Sequence, residues 1–229
     1  RSEYQYHYHE LNRFYLFMFI EIPNGSRAIG LGSAYGYEFL PIIKRLSRII
    51  IIEPTEKFMV HKELNGVPLE YRKPSINGNL DFPNDYFQLA TSFGTLHHIA
   101  NVSMVLKEFY RCLAPDGYML IREPIVTQGD WRYPRPGLTK NERGIPYKLI
   151  HSIVKDIGFK IERSALFDFS PFVRIMAWLG KPVFTSPVGT RVDRLLSLLF
   201  SFNKRYHRTK FIERFGPASV AIVLRKQLG

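Results

Sequence analysis

The chain has 229 residues, which suits one α/β domain with insertions or about one and a half average domains. With 45% hydrophobic and 14% aromatic residues against 23% charged, it can bury a sizeable core, and a disordered polymer is excluded. The formal charge of +12 is uneven, since residues 1–120 hold 12 Lys/Arg and 12 Asp/Glu while residues 121–229 hold 20 and 8. An acidic partner, such as phosphate, nucleic acid or anionic lipid, is therefore expected of the second half alone.

The single cysteine, Cys112, excludes an intramolecular disulfide and a cysteine-cluster metal site. It falls in an apolar helical pattern and reads as core. A reducing cytoplasm is the expected compartment, with peripheral contact at the inner membrane surface as a refinement. No apolar run reaches the ~20 residues of a membrane span.

In chain order, residues 1–24, rich in Tyr, Phe and Leu, read as a helical cover ending before Pro23-Asn24-Gly25. Arg27 to Leu31 reads as a strand, Tyr37 to Arg45 as a helix, and Arg48 to Ile52 as a strand apolar on both faces, suited to the middle of a parallel sheet. Thr55 to Leu64 reads as helix, Leu69 to Arg72 and Gln88 to Phe93 as strands. Ser103 to Leu113 follows as a helix stopped by Ala114-Pro115-Asp116-Gly117, and Tyr118 to Ile121 as a strand. A helix near Tyr147 to Asp156 and a strand near Lys160 to Leu166 come next. Two amphipathic helices, Phe172 to Leu179 and Arg191 to Phe202, precede a last strand, Ala218 to Leu224. In the second helix Thr190, Arg194, Ser197 and Ser201 form the polar side, and Val192, Leu195, Leu196, Leu198, Leu199 and Phe202 the apolar side expected to face protein. Residues 191–214 hold seven bases and two acids.

Strands alternating with helices imply a doubly wound, mostly parallel sheet whose ligands lie beyond the carboxyl ends of the strands. After the first strand comes Gly32-Ser33-Ala34-Tyr35-Gly36, where small residues allow close backbone approach and the next helix offers free N–H donors. The glycines at 30, 32 and 36 miss the dinucleotide spacing. Glu53 closes the second strand, where an acid can accept both hydroxyls of a ribose.

These segments, "RAIGLGSAYGYE", "IIIIEP" and "LDFPNDYFQLATSFGTLHHI...VLKEFYRCLAPDGYMLIREP", resemble the class I S-adenosylmethionine-dependent methyltransferases over about residues 25–125. The resemblance implies a seven-stranded Rossmann-like sheet with an antiparallel last strand and a helical insertion before it. It also implies a single domain: cover 1–24, cofactor core 25–125, and substrate loop, insertion and last strands 126–229. By the same resemblance Gly32, Ser33, Ala34 and Gly36 wrap the methionine part of S-adenosylmethionine and Glu53 holds its ribose. Asn77 and Asp81 belong to the loop by the adenine, and Phe93 and Gly94 line the sulfonium. The family usually has an acid where Gly30 stands, a glycine where Ala34 stands and an aspartate where Gln88 stands. The missing acid leaves open a catalytically inactive, cofactor-binding or membrane-adaptor descendant.

His97 and His98 follow the strand beside the expected sulfur and are candidate bases for a hydroxyl. Nothing in the spacing of His7 and His9 supports a metal, so no metal site is expected. Residues 125–146, "IVTQGDWRYPRPGLTKNERGIP", form an unpatterned connection at the ligand edge, which points to function. Arg122, Glu123, Trp131, Asn141, Glu142 and Arg143 are the candidate acceptor contacts. "REPI", "GDWR" and "GLTKNERGIP" resemble methyltransferases associated with bacterial surface polysaccharide or glycan synthesis. The expected reaction is O-methylation of a sugar, glycan or lipid- or nucleotide-linked small molecule, acidic in character, with RNA methylation as the rival reading. Peripheral membrane contact through residues 171–210 and homodimer formation are the expected assemblies.

Overall fold

A computed structural model describes residues 6–127, 133–135, 137–138 and 142–227. Eight strands form one sheet: β1 (Ser26–Leu31), β2 (Leu46–Ile52), β3 (Glu63–Leu64), β4 (Val67–Arg72), β5 (Phe87–Phe93), β6 (Leu113–Pro124), β7 (Phe159–Phe169) and β8 (Pro217–Lys226). Their order is β3-β4-β2-β1-β5-β6-β8-β7. Strands β4, β2, β1, β5 and β6 run parallel to one another, whereas β3 is antiparallel to β4 and β8 is antiparallel to both β6 and β7. The Rossmann-like arrangement with an antiparallel last strand is thus present, extended by β3.

The four isoleucines of β2, Ile49 to Ile52, are all buried because β2 lies between β1 and β4 with both faces covered. Alternate side chains of each strand feed two cores. One lies under α2 (Val102–Cys112) and α3 (Tyr147–Ile157), around Phe87, Phe109, Met119 and Ile150. The other lies under α1 (His9–Tyr15) and the segment near Phe184, around Tyr15, Phe39, Leu89 and Phe167. Cys112 is fully buried in the first core, and burial raises its thiol pKa to about 11, so it is filler and not a nucleophile.

Two expected helices are corrected. Tyr37–Arg45 is a 3-10 helix with Pro41 inside it, whose ring would clash with the Tyr37 carbonyl in an α-helix. Thr55 to Leu64 is not a helix. Only Glu56–Phe58 makes a 3-10 turn, and Glu63–Leu64 turns back as β3 against β4 through Asn65-Gly66, both with positive φ (48° and 81°). That pair suits a tight two-residue hairpin. The Ala114 to Gly117 turn sits within β6 as an irregularity between the pairs Phe87↔Leu113 and Leu89↔Tyr118.

The insertion differs most from expectation. Helix α4 spans Ser170–Trp178, and α5 spans Pro187–Leu199, starting four residues early because Ser186 caps it by accepting the Gly189 N–H. Its side toward the protein is Thr190, Asp193 and Ser197, all buried, while Leu195, Leu198 and Leu199 are exposed. The expected inward apolar face is turned outward. The reason is Asp193, whose carboxylate accepts the backbone N–H groups of Asp168 and Phe169 at 2.9 and 2.8 Å, fixing the rotation of α5 on the end of β7.

Candidate functional site

The carboxyl ends of β1, β2, β5 and β6 meet along one edge. After β1, Gly32, Ala34 and Gly36 all take left-handed backbone conformations, with φ of 65°, 47° and 76°. A Cβ on Gly32 would lie 2.4 Å from Thr95 Oγ1, so this glycine lets the β1 and β5 loops close on each other. Glu53 at the end of β2 is buried. Its two carboxylate oxygens accept the N–H groups of Ala34 at 3.3 Å and Thr55 at 3.1 Å, tying the strand end to the glycine-rich loop.

A cavity of about 270 Å³ opens beside this loop, lined by Leu31, Ile52, Pro74, Asn79, Leu80 and Ile99 among others. Its apolar walls and size suit a flat heteroaromatic ring. The wall from Gly78 to Phe82 is riveted to α2. Leu80 N–H donates to Glu108 at 3.0 Å, and Arg111 donates to the Leu80 and Phe82 carbonyls at 2.8 and 2.9 Å. Asn77 and Asp81 flank this wall without lining the cavity, and Asp81 is exposed beside Arg72. Sequence reasoning reached the loop but named its outward residues.

Position 30 carries no acid, but a buried carboxylate stands close after the loop. Glu38, fully enclosed two residues after Gly36, accepts from Ser33 Oγ at 2.8 Å and Thr91 Oγ1 at 2.6 Å. Burial raises its pKa, opposed by those two donors and by the charge of Arg122. A carboxylate directly after the small-residue loop was the signal that could have found it. Gln88 is at the opposite end of β5, where its Oε1 accepts the Arg27 N–H at 2.8 Å, so its departure from the family pattern lies away from the ligand edge.

Beyond β5 and β6 lies a second cavity of about 440 Å³. Its lining includes the polar residues His97, Arg122, Glu123, Asp168 and Ser219 and the apolar residues Val126, Phe167, Val173 and Phe184. Gly94, with φ of 74°, borders it and donates its N–H to the Arg122 carbonyl. Phe93 supports the guanidinium of Arg122, which is buried 4.0 Å from the Tyr8 ring and 5.2 Å from the Phe93 ring.

Glu123 is buried and faces His97. Its Oε1 accepts the Thr95 and Leu96 N–H groups at 2.9 and 2.8 Å, and its Oε2 lies 2.7 Å from His97 Nδ1. An ionised carboxylate can only accept, so Nδ1 carries the proton and Nε2 is the basic nitrogen. That pairing makes Glu123 an orienter of His97. The His98 ring lies tilted against His97 with ring centroids 4.0 Å apart, and its pKa is lowered, first by burial and then by the His97 charge.

Glu142 approaches both rings, 3.8 Å from His97 Nε2 and 3.9 Å from His98 Nδ1. These three residues bring donor atoms within 4.8 Å of one another, a mixed imidazole and carboxylate set of the type that binds divalent transition ions. Spacing alone could not show this, because Glu142 lies 44 positions beyond His98 in the connection. Arg143 is exposed, and Trp131 and Asn141 lie outside the described residues.

A family model described as a methyltransferase domain matches residues 3–164. No curated protein matches the chain in sequence. Among solved structures, a methyltransferase in complex with the Haloferax volcanii Trm112 methyltransferase activator shares 14% identity, covering 97% of this chain and 90% of that one, with a TM-score of 0.63. An S-adenosylmethionine-dependent methyltransferase from Mesorhizobium loti shares 15%, covering 92% and 95%, with a TM-score of 0.60. The fold is thus that of these neighbours. The chain belongs to the methyltransferase-domain family, and the class I resemblance read from its first half is borne out.

Proposed function

We propose that this methyltransferase-domain chain transfers a methyl group from S-adenosylmethionine to a hydroxyl of a small acceptor bound in the 440 Å³ cavity, with His97 as the base. The observation that carries the reading is the Glu123–His97 pair in the lining of that cavity, 2.7 Å apart, with Nε2 left to take a proton. S-adenosylmethionine, when bound, supplies an electrophilic methyl on a positively charged sulfur.

The Gly32 to Gly36 backbone and Glu53 suit the amino-acid and ribose parts of that molecule, and the cavity between Pro74 and Ile99 suits its adenine. Arg122 and the apolar wall around Phe167 and Phe184 orient the acceptor, and His97 Nε2 removes the hydroxyl proton as the methyl moves. Such a base typically contributes ~10²–10⁴-fold, beyond what alignment supplies.

An acceptor with a polar end and an apolar body, such as a lipid-linked sugar or glycan, fits a cavity whose lining mixes polar and apolar residues. RNA fits it poorly, since Arg122 is the single guanidinium in a lining that also carries Glu123 and Asp168.

The test uses methyl-labelled S-adenosylmethionine with lipid-linked saccharides, sugar nucleotides and RNA as separate pools, beside calorimetry of cofactor binding. Label is expected in a saccharide pool. His97→Ala should lower kcat by ~10²–10⁴ and Glu123→Gln by a smaller factor, both with cofactor affinity retained, whereas Glu53→Ala should lose cofactor affinity. Label entering RNA alone, or a His97→Ala rate within threefold of the wild type, would overturn the reading.

A further inference from the structure

Most of the second half's positive charge lies outside the cavity. Residues 169–216 contain nine bases and two acids. Both acids are buried: Asp193 on the end of β7, and Glu213, which accepts from the Thr209 and Lys210 N–H groups at 2.9 and 3.0 Å. Arg191, Arg194, Lys204, Arg205, Lys210 and Arg214 stay exposed. Every exposed charge in this stretch is therefore positive.

The same stretch exposes large apolar side chains. Val188, Val192, Leu195, Leu199 and Phe202 recur at helical spacing along the outer side of α5 and past its end, with Leu198 beside them. Leu195 is 66% exposed, Leu199 65% and Phe202 80%. Asn203 Nδ2 donates to the Ile212 and Phe215 carbonyls at 3.2 and 2.8 Å, which holds exposed Phe211 and Ile212 beside the end of this stripe. This orientation is built in, since rotating α5 inward would break both Asp193 bonds.

We propose that the outer side of α5, with Phe211 and Ile212, is a docking surface for an anionic lipid bilayer. A contiguous apolar surface ringed by cations matches the two layers of such a bilayer, the leucines entering the acyl boundary and the arginines and lysines lying among the headgroup phosphates. A second copy of this chain fits less well. A two-fold contact through this patch would set its exposed cations against the same cations with no exposed acid between them. RNA would leave the leucine stripe against water or phosphate. The inference stands apart from the methylation reading, because it uses no residue of either cavity.

The test is vesicle flotation of the full chain with phosphatidylcholine vesicles and with phosphatidylcholine containing phosphatidylglycerol. Wild type should float with the anionic vesicles, weakly or not at all with the zwitterionic ones, and less at high salt. The double variant Leu195→Ser/Leu199→Ser should lower anionic-vesicle affinity at least tenfold, and Arg191→Glu/Arg214→Glu should remove the preference for phosphatidylglycerol. All four positions are exposed, so the thermal midpoint should stay within a few degrees, which separates lost docking from lost folding. No flotation with anionic vesicles, or flotation unchanged in both variants, overturns the proposal. So does a dimer in sedimentation that the leucine variant splits, or salt-dependent RNA binding that the arginine variant abolishes while flotation persists.

Discussion

A side chain at position 30 would place its Cβ 2.1 Å from Ser33 Oγ, so the acid usual there is sterically excluded unless the glycine-rich loop moves. Glu38 ties the loop to β5, holding both Ser33 and Thr91 through one carboxylate oxygen. Glu38→Ala should strand those two buried hydroxyls and cost ~1–3 kcal/mol in urea unfolding. Glu38→Gln keeps an acceptor oxygen and should cost less, and a loss equal to that of the alanine variant would mean that charge, not hydrogen bonding, fixes the loop. The positions of Glu53, Gly32 and Gly94 were legible because each follows from place on a strand end. Glu38 was not, because its role depends on packing between β1 and β5. The pairing of Glu123 with His97 was hidden for the same reason: 26 residues separate them, and only adjacent parallel strands bring them together.

Elements whose periodicity reports burial were readable, and those set by a single residue were not. The central strands and α2 and α3 follow their apolar patterns closely, since each buries the side that its spacing marks. The stretch from Thr55 to Leu64 has helix-compatible spacing, yet Asn65-Gly66 decides for a hairpin, because both residues tolerate the positive φ that the turn demands. A Cβ on Gly66 meets nothing within 4 Å, so Gly66→Ala isolates backbone strain from packing. It should lower stability by ~1–2 kcal/mol in denaturant unfolding. A neutral result would show that β3 is not held by this turn. In α5 the pattern misled in the opposite sense: an amphipathic helix normally buries its apolar side, but two backbone N–H groups at the end of β7 require the Asp193 carboxylate, and its neighbours turn with it.

Across the molecule, the charge asymmetry marks a surface and not a pocket. The 440 Å³ cavity holds one guanidinium beside two carboxylates, while the exposed cations of residues 169–216 lie outside it. The insertion that carries them is joined to the sheet through a buried acid, so its attachment should respond to pH. Burial first, and then the charge of Asp168, raises the Asp193 pKa to about 7, against the two N–H donors that lower it. Between about pH 4 and pH 7 the folded chain therefore retains a proton that the unfolded chain has released, and stability falls as pH rises through that window. Above about pH 7 both states are ionised and the dependence on this group ends. The size is on the order of 2–4 kcal/mol. Buried Glu38 and Asp168 shift in the same direction, whereas His9, His98 and His151, with lowered pKa values, favour the folded state as pH rises toward 6.5. Comparison with Asp193→Asn separates the contributions, since the amide cannot titrate. Urea unfolding at pH 5 and pH 8 should show the wild type losing more, or gaining less, stability on going to pH 8 than the variant does. Equal changes in the two proteins would mean that Asp193 is already ionised at pH 5 and that α5 is held by an anion throughout.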